Sequence, residues 1–150
     1  MTTIEQRMDV QTPSQSAWAL HTAILRSEAL AAFLAGLGLW FVNGGSIVWL
    51  VPVLLLPDLS MLGYAAGSRF GAFTYNLAHN WTLAAAALAI GWWLKWDPLL
   101  LTGAVVLAHV GMDRALGYGL KLPTDFRDTH LGRIGRESPK ARSSGAIAPN

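Results

Sequence analysis

Two long runs without a charged residue constrain this chain more than any other feature. No Asp, Glu, Lys or Arg stands between Glu28 and Asp58, and none stands between Arg69 and Lys95. A helix of about 20 mostly apolar residues crosses the hydrocarbon core of a bilayer, so each run is long enough for at least one crossing. The chain is 53% hydrophobic and 13% charged, against roughly 25% charged in soluble domains. The sequence therefore predicts an all-α membrane protein, the alternative being a soluble helical protein that buries these hairpins.

Four helices account for the apolar residues as a transmembrane bundle. Asn43-Gly44-Gly45 is a turn signal inside the first run, so residues 28–42 end one span and residues 46–66 form a second. The first run is short, and we expect its helix to begin near residue 16. Residues 70–94 form the third span and residues 98–120 the fourth, because Pro98 disfavours a helical conformation in the residue before it. This domain, 16–122, follows a polar segment, 1–15, and precedes an ordered polar segment, 123–136, and a disordered basic tail, 137–150.

The distribution of basic residues predicts the orientation. Six of the eleven Lys and Arg residues fall in the last thirty positions, while the turn at 43–45 has none. Lys and Arg are in excess on the cytoplasmic side, so both termini should be cytoplasmic in a multi-pass protein of the cell inner membrane. No signal peptide is evident. Membrane lipid is the expected partner and nucleic acid is not, while Gly63-x-x-x-Gly67 would permit a homo-oligomer.

Ionisable side chains lie where the predicted spans cross hydrocarbon. His109 and Asp113 are four residues apart, so they share one face of the fourth helix. At about 1.5 Å per residue they lie roughly 18 and 12 Å from its inner end, and His79 of the third span lies roughly 14 Å deep. Asp58 and Glu28 bring a carboxylate from the second and first spans. Charged groups at such depth cost at least about 2.5–3.5 kcal/mol and are functional by default.

Imidazole and carboxylate groups from facing helices are the ligands of divalent ions such as Zn, Mn or Fe. We expect four metal ligands: Asp58, His79, His109 and Asp113. Glu28 would be a second-metal ligand or general base, and Arg114 would bind an anionic group of the substrate. The polar side chains expected to orient the ligands are Tyr64, Tyr75, Asn76 and Asn80. A bound metal activates water, so the set predicts a hydrolase acting on a membrane-associated ester or phosphodiester.

Other interpretations of the same residues stay open. Two histidines at similar depth could ligate a haem axially, and the polar cluster could simply hold the helices together in a non-enzymatic structural or accessory protein. Arg114 could pair with Asp113 or extend to the interface. Glu28, with Ser27 as a cap, could match the dipole at a helix N-terminus.

Three polar residues follow the fourth helix: Asp125, Asp128 and His130. They could cover the cytoplasmic mouth of the site or supply a general base. The alternative is a polar turn that satisfies backbone carbonyls at the helix end. The chain has no cysteine, which excludes disulfides, thiolate metal ligands and thiol nucleophiles.

Four stretches carry a resemblance to a known family: LRSEALA (25–31), PDLSMLGYAAG (57–67), YNLAHNW (75–81) and AHVGMDRALGYGLKLPTDFRDTHLGRIG (108–135). They resemble a domain-of-unknown-function family of small bacterial integral membrane proteins. The last stretch is long and specific. The resemblance implies a four-helix membrane protein and brings no activity with it.

The order of the polar residues is also similar to that in small membrane-bound metal-dependent hydrolases. Those carry acids after a proline, a histidine motif and a His/Asp pair four apart, which implies Asp58, His79, His109 and Asp113 as ligands here. This chain has one acid after Pro57 where the hydrolases have two. It also has YNLAHNW where a second histidine and an arginine would be expected. These departures bear on catalysis more than on metal binding.

Overall fold

Helices make up most of the chain that this computed structural model describes, residues 15–135. They are α1 Gln15–Val42, α2 Ile47–Leu54, a 3-10 helix Leu56–Ala66, α3 Ser68–Ala78, α4 Trp81–Leu94 and α5 Asp97–Leu116. Two short strands, β1 Asp128–Thr129 and β2 Gly132–Arg133, pair antiparallel. The all-α prediction is confirmed. The predictions for residues 1–14 and for the basic tail lie outside the described residues.

Three helical segments are long and apolar enough to cross a membrane: Ala19–Val42, Ile47–Ala66 and Asp97–Leu116. They correspond to the first, second and fourth predicted spans, and the first helix begins well before Glu28, as expected. Large apolar side chains such as Leu34, Val48 and Trp92 are exposed on the outside of the bundle, which suits a surface that faces lipid. These helices indicate a membrane protein.

The third predicted span is wrong as a continuous helix, because the chain breaks between α3 and α4. His79 has φ −110° and ψ 39°, and Asn80 has φ −120° and ψ 150°. The Asn80 side chain accepts a hydrogen bond from the backbone N–H of Leu83 at 2.8 Å and donates to the Leu77 carbonyl at 2.6 Å. Asn80 therefore caps α4 and also satisfies a carbonyl at the end of α3, two demands that a broken helix creates.

Close packing of α1 on α5 sets the position of the centre of α5. A Cβ added at Gly36 would lie 2.5 Å from the backbone nitrogen of Ala108, and one added at Gly111 would lie 2.5 Å from that of Phe33. The two glycines let the helix backbones approach closely, as small residues do in membrane bundles. His109 lies between these contact points on α5.

The chain beyond α5 folds back onto the bundle. Gly117, with φ 98°, ends α5 in a left-handed conformation, which glycine adopts without strain. Asn76 of α3 then pairs with both backbone groups of Lys121, at 2.7 Å to its N–H and 2.8 Å to its carbonyl. A bridge between Lys121 and Thr129 adds the β1–β2 hairpin. Residues 118–135 are thus fixed at the end of the bundle where α5 finishes.

Candidate metal centre

Two buried histidines face each other inside the bundle. His79 follows α3 and His109 lies in α5, and their exposed fractions are 1% and 0%. Their Nε2 atoms are 3.0 Å apart, and the rings meet edge to face at 72°. The break after α3 gives His79 a non-helical backbone at this point, so that two imidazoles share one small interior volume.

The other ring nitrogen of each histidine is held by a backbone carbonyl. His79 Nδ1 lies 2.9 Å from the Tyr75 carbonyl oxygen, and His109 Nδ1 lies 2.6 Å from that of Leu54. A carbonyl oxygen only accepts hydrogen bonds, so both Nδ1 atoms carry the proton. In the neutral rings both Nε2 atoms are then bare lone pairs, and they face one another. Such lone pairs repel unless a metal ion or a shared proton lies between them.

Two carboxylates approach the same pair of nitrogen atoms. Asp58 Oδ1 lies 3.4 Å from His79 Nε2 and 3.5 Å from His109 Nε2. Asp113 Oδ2 lies 3.8 Å from each of them. The four donor atoms come from the 3-10 helix, from the end of α3 and from α5, so three parts of the fold converge on one point.

The donor distances fit a divalent ion. Metal–nitrogen and metal–oxygen bonds of about 2.0–2.1 Å place tetrahedral donor atoms about 3.3 Å apart. The distances among Asp58, His79 and His109 are 3.0–3.5 Å, and these three residues form a potential metal-binding group. Asp113 lies a few tenths of an ångström farther out. Two imidazoles and two carboxylates are a donor set that suits Zn, Mn or Fe.

The haem interpretation fits this arrangement poorly. Axial ligands lie on opposite sides of the iron, which at bonds of about 2.0 Å separates the two nitrogen atoms by about 4 Å. Here the separation is 3.0 Å. The carboxylates of Asp58 and Asp113 also occupy the space beside both nitrogens, where the porphyrin plane would have to pass.

Local sequence explains how each ligand reaches the centre. Pro57 lacks a backbone N–H and stands at the start of the 3-10 helix, where the missing donor costs nothing. Asp58 follows it in the first turn. His109 and Asp113 share one face of α5 because they are four residues apart.

Tyr75 supports two of the four ligands. Its hydroxyl donates to Asp113 Oδ2 at 2.8 Å. Its ring stacks on the His79 imidazole, with centroids 3.7 Å apart and an angle of 13°. The other predicted supporting tyrosine, Tyr64, packs its ring against Phe126, and its buried hydroxyl has no hydrogen-bond partner among the described residues.

The two asparagines form hydrogen bonds with backbone groups and not with the ligand side chains. Asn76 holds Lys121, and Asn80 caps α4.

The sequence did not single out Lys121, because it looked like one of several similar basic residues that follow α5. Its exposed fraction is only 4%, and its ammonium donates to the Phe126 carbonyl at 2.8 Å and lies over the Phe126 ring. Burial lowers the pKa of this ammonium, and the Asp113 carboxylate acts in the opposite direction.

Arg114 and Glu28 come together, but not at the four ligands. The Arg114 guanidinium donates to the backbone carbonyls of His79 at 3.3 Å and Tyr118 at 3.0 Å. Among residues 15–135 it forms no ion pair with Asp113. Glu28 is exposed and lines a separate cavity together with Arg114. The dipole interpretation of Glu28 is wrong, because α1 begins at Gln15 and places both Ser27 and Glu28 in mid-helix.

The three residues predicted at the mouth stabilise the C-terminal segment. Asp128 accepts hydrogen bonds from Thr124 at 2.7 Å and Arg133 at 3.1 Å. Asp125 accepts from the backbone of Arg127 at 2.9 Å. His130 Nδ1 accepts from the backbone N–H of Leu120 at 2.8 Å. These contacts order residues 118–135, and His130 lines the cavity that contains Arg114.

Comparison with known proteins places the chain in one family. The sequence profile of a family described as a domain of unknown function (DUF4260) matches residues 22–134. These residues contain the four candidate ligands and the hairpin after α5. No curated protein and no solved structure matches the chain.

Proposed function

Because the chain belongs to the DUF4260 family of unknown function, we propose its function from the cluster itself: a membrane metalloenzyme that hydrolyses a membrane-associated ester or phosphodiester. Asp58, His79, His109 and Asp113 hold one divalent ion, of Zn, Mn or Fe. The substrate reaches the site from the inner leaflet, both termini are cytoplasmic, and the bundle crosses the inner membrane four times. A homo-oligomer stays a prediction. Gly63, one of the two glycines on which it rests, packs against Thr74 of the same chain.

One observation carries the proposal: two buried Nε2 atoms lie 3.0 Å apart. The contacts of both Nδ1 atoms with backbone carbonyls indicate that neither Nε2 carries the proton of a neutral ring. Backbone carbonyls hold the opposite nitrogens, as they do in many metal-bound histidines. Two carboxylates beside them supply the negative charge that a divalent cation requires. A set of packing histidines would have no reason to direct both bare nitrogens at one point.

Hydrolysis is the chemistry that such an ion supports, since when bound it polarises a carbonyl or phosphoryl oxygen and lowers the pKa of its water. The chain itself contributes position and charge. Asp113 is held by the Tyr75 hydroxyl, and its side chain is 13% exposed. The Asp58 side chain is 37% exposed, so the site opens on the side of the 3-10 helix, where a substrate can enter.

Metal content tests the site. The detergent-purified full chain should contain stoichiometric metal, and His109→Ala should lose it. His21→Ala, a change at an exposed histidine of α1, is the matched control and should keep the metal. A chain that folds and contains no metal in any of the three forms would refute the metal centre. A proton shared by the two histidines would then remain as the explanation of the pair.

Turnover tests the enzyme. Wild type and Asp113→Asn are compared on a panel of lipid esters and phosphodiesters in mixed micelles. We expect wild type to hydrolyse at least one substrate. The rate should fall about 100-fold or more in the variant, since removing the charge of a ligand weakens binding of the ion. Equal rates for the two proteins on every substrate would leave a metal site with a structural role.

A further inference from the structure

A second cavity, separate from the four candidate ligands, lies between α1, α5 and the start of α4. Its volume is about 470 Å³, and none of the four ligand residues lines it. Its polar lining includes Arg26, Glu28 and Arg114. The cavity therefore combines two positive charges and one negative charge beside the end of α5.

Both arginines bring a guanidinium group to the lining of the cavity. Arg114 uses two donors on the carbonyls of His79 and Tyr118, and a guanidinium has five. Arg26 crosses the C-terminal end of α5, where a Cβ added at Gly117 would meet its Nη2 at 3.0 Å. A guanidinium fork is well matched to a phosphate group.

Glu28 adds a carboxylate to the cavity, which can bind a cationic group of a ligand. Within residues 15–135 the ion pairs do not include Arg26, Glu28 or Arg114. The carboxylate therefore lines the same cavity as the guanidinium groups without neutralising either of them. Separate charges of both signs suit a ligand that itself carries both, with its cation near Glu28 and its anion near the arginines.

The rest of the lining is apolar, and it includes Leu25, Ala29, Ala32 and Leu107. Both α1 and α5 belong to segments apolar enough to lie in hydrocarbon. An apolar surface next to a group of charges at a helix end suits a molecule with a charged head and a hydrocarbon chain. A soluble phosphate ester would leave that surface in contact with water.

We propose that this cavity binds a phospholipid whose headgroup carries both a phosphate and a primary ammonium. The phosphate lies on Arg26 and Arg114, the ammonium lies on Glu28, and an acyl chain follows the apolar lining. The site does not depend on the metal or on hydrolysis. An anionic headgroup without an ammonium would leave Glu28 unpaired beside a phosphate, and a trimethylated ammonium would offer Glu28 no N–H donor.

Lipid binding to the detergent-purified full chain, measured by native mass spectrometry, tests the proposal. The probes are dioleoyl phosphatidylethanolamine, phosphatidylcholine and phosphatidylglycerol, with glycerophosphoethanolamine as the headgroup without chains. Wild type should bind phosphatidylethanolamine most tightly. Arg26→Gln should weaken that binding about tenfold or more, since a charged hydrogen bond is lost. Arg69→Gln, at an exposed arginine of α3 outside the cavity, should leave it unchanged.

Glu28→Gln tests the contact with the ammonium separately from the contact with the phosphate. This variant should lose the preference for phosphatidylethanolamine over phosphatidylglycerol and still bind phosphatidylglycerol through the arginines. Each variant is used only if its metal content and helical circular dichroism equal those of wild type. Equal loss in Arg26→Gln and Arg69→Gln, or an unchanged preference in Glu28→Gln, would overturn the proposal. Binding of glycerophosphoethanolamine as tight as that of the lipid would overturn the role of the acyl chain.

Discussion

His79 and His109 each use one ring nitrogen to hold a backbone carbonyl, and this choice determines what the other nitrogen can do. The carbonyls belong to Tyr75 and Leu54, on two different helices. Rotating either ring would break a hydrogen bond in the interior, which costs about 1–3 kcal/mol when the partner is left unsatisfied. Both rings are therefore fixed before any ion arrives, which is how a binding site is preorganised.

Tyr75→Phe tests the support of Asp113 at the level of one atom. The change removes the hydroxyl that donates to Asp113 Oδ2 and keeps the ring that stacks on His79. We expect the metal affinity to fall about 10–100-fold, the usual effect of losing an outer hydrogen bond to a ligand. A competitive titration with a fluorescent chelator measures it. Tyr118→Phe is the control, and affinities that are equal in the two variants would contradict this role of Tyr75.

Much of this residue set could be predicted from sequence. The i, i+4 spacing of His109 and Asp113, with the depths that helical rise gives for His79 and Asp58, predicted that the four side chains lie at similar depths. The tautomers could not be predicted, because the carbonyl of Leu54 reaches His109 only through tertiary packing across 55 positions of sequence. Lys121 was missed for a similar reason, since burial of a lysine depends on the segment that folds over it.

At the scale of elements, the break between α3 and α4 is the feature that makes the site. A continuous helix would place the His79 carbonyl in the regular helical ladder, whereas here it accepts from Arg114. Irregular backbone at membrane depth occurs where its polar groups are satisfied inside the protein. The sequence favoured a continuous helix because residues 70–94 contain no charged residue and are long enough to cross a bilayer. The capping role of Asn80 becomes evident only once the helix ends there.

Asn80→Ala tests the cap. It removes the hydrogen bond to Leu83 and the hydrogen bonds to the α3 carbonyls, so we expect the free energy of unfolding to fall by about 0.5–2 kcal/mol. Asn80→Asp keeps the acceptor for Leu83 and should recover much of the loss. Chemical unfolding in detergent micelles, followed by circular dichroism, gives both values. An alanine variant as stable as wild type would show that the break does not need its cap.

Gly36→Ala tests the approach of α1 to α5. Its Cβ would lie 2.5 Å from the backbone nitrogen of Ala108, so the helices would have to separate, at a cost of about 1–3 kcal/mol. Gly38→Ala is the matched control, because a Cβ there meets nothing within 4 Å. Thermal unfolding should show a lower midpoint for Gly36→Ala alone. Equal midpoints for the two variants would contradict the close contact.

At the scale of the whole molecule, α5 carries two of the ligands and packs against both α1 and α4. The lipid-facing surface is apolar, and the polar groups are concentrated inside and at the end where α5 finishes. The orientation predicted from the basic residues would place that end on the cytoplasmic side.

Cysteine labelling tests the orientation, since the natural chain has no cysteine. Lys95→Cys, in the turn between α4 and α5, should react with a membrane-impermeant maleimide in intact cells. Gly135→Cys, after the hairpin, should react only once the membrane is opened. The reverse pattern would show that the protein has the opposite orientation, with the proposed site nearer the other leaflet.

The coordination of the bound metal tests the central claim most directly. X-ray absorption spectroscopy of the purified chain reports the number of imidazole ligands through their outer-shell scattering. The account predicts two imidazoles and two carboxylate oxygens at about 2.0–2.1 Å, and a single imidazole in His79→Ala. A metal bound with no imidazole, or a spectrum that His79→Ala leaves unchanged, would contradict a site in which the two histidines share one ion.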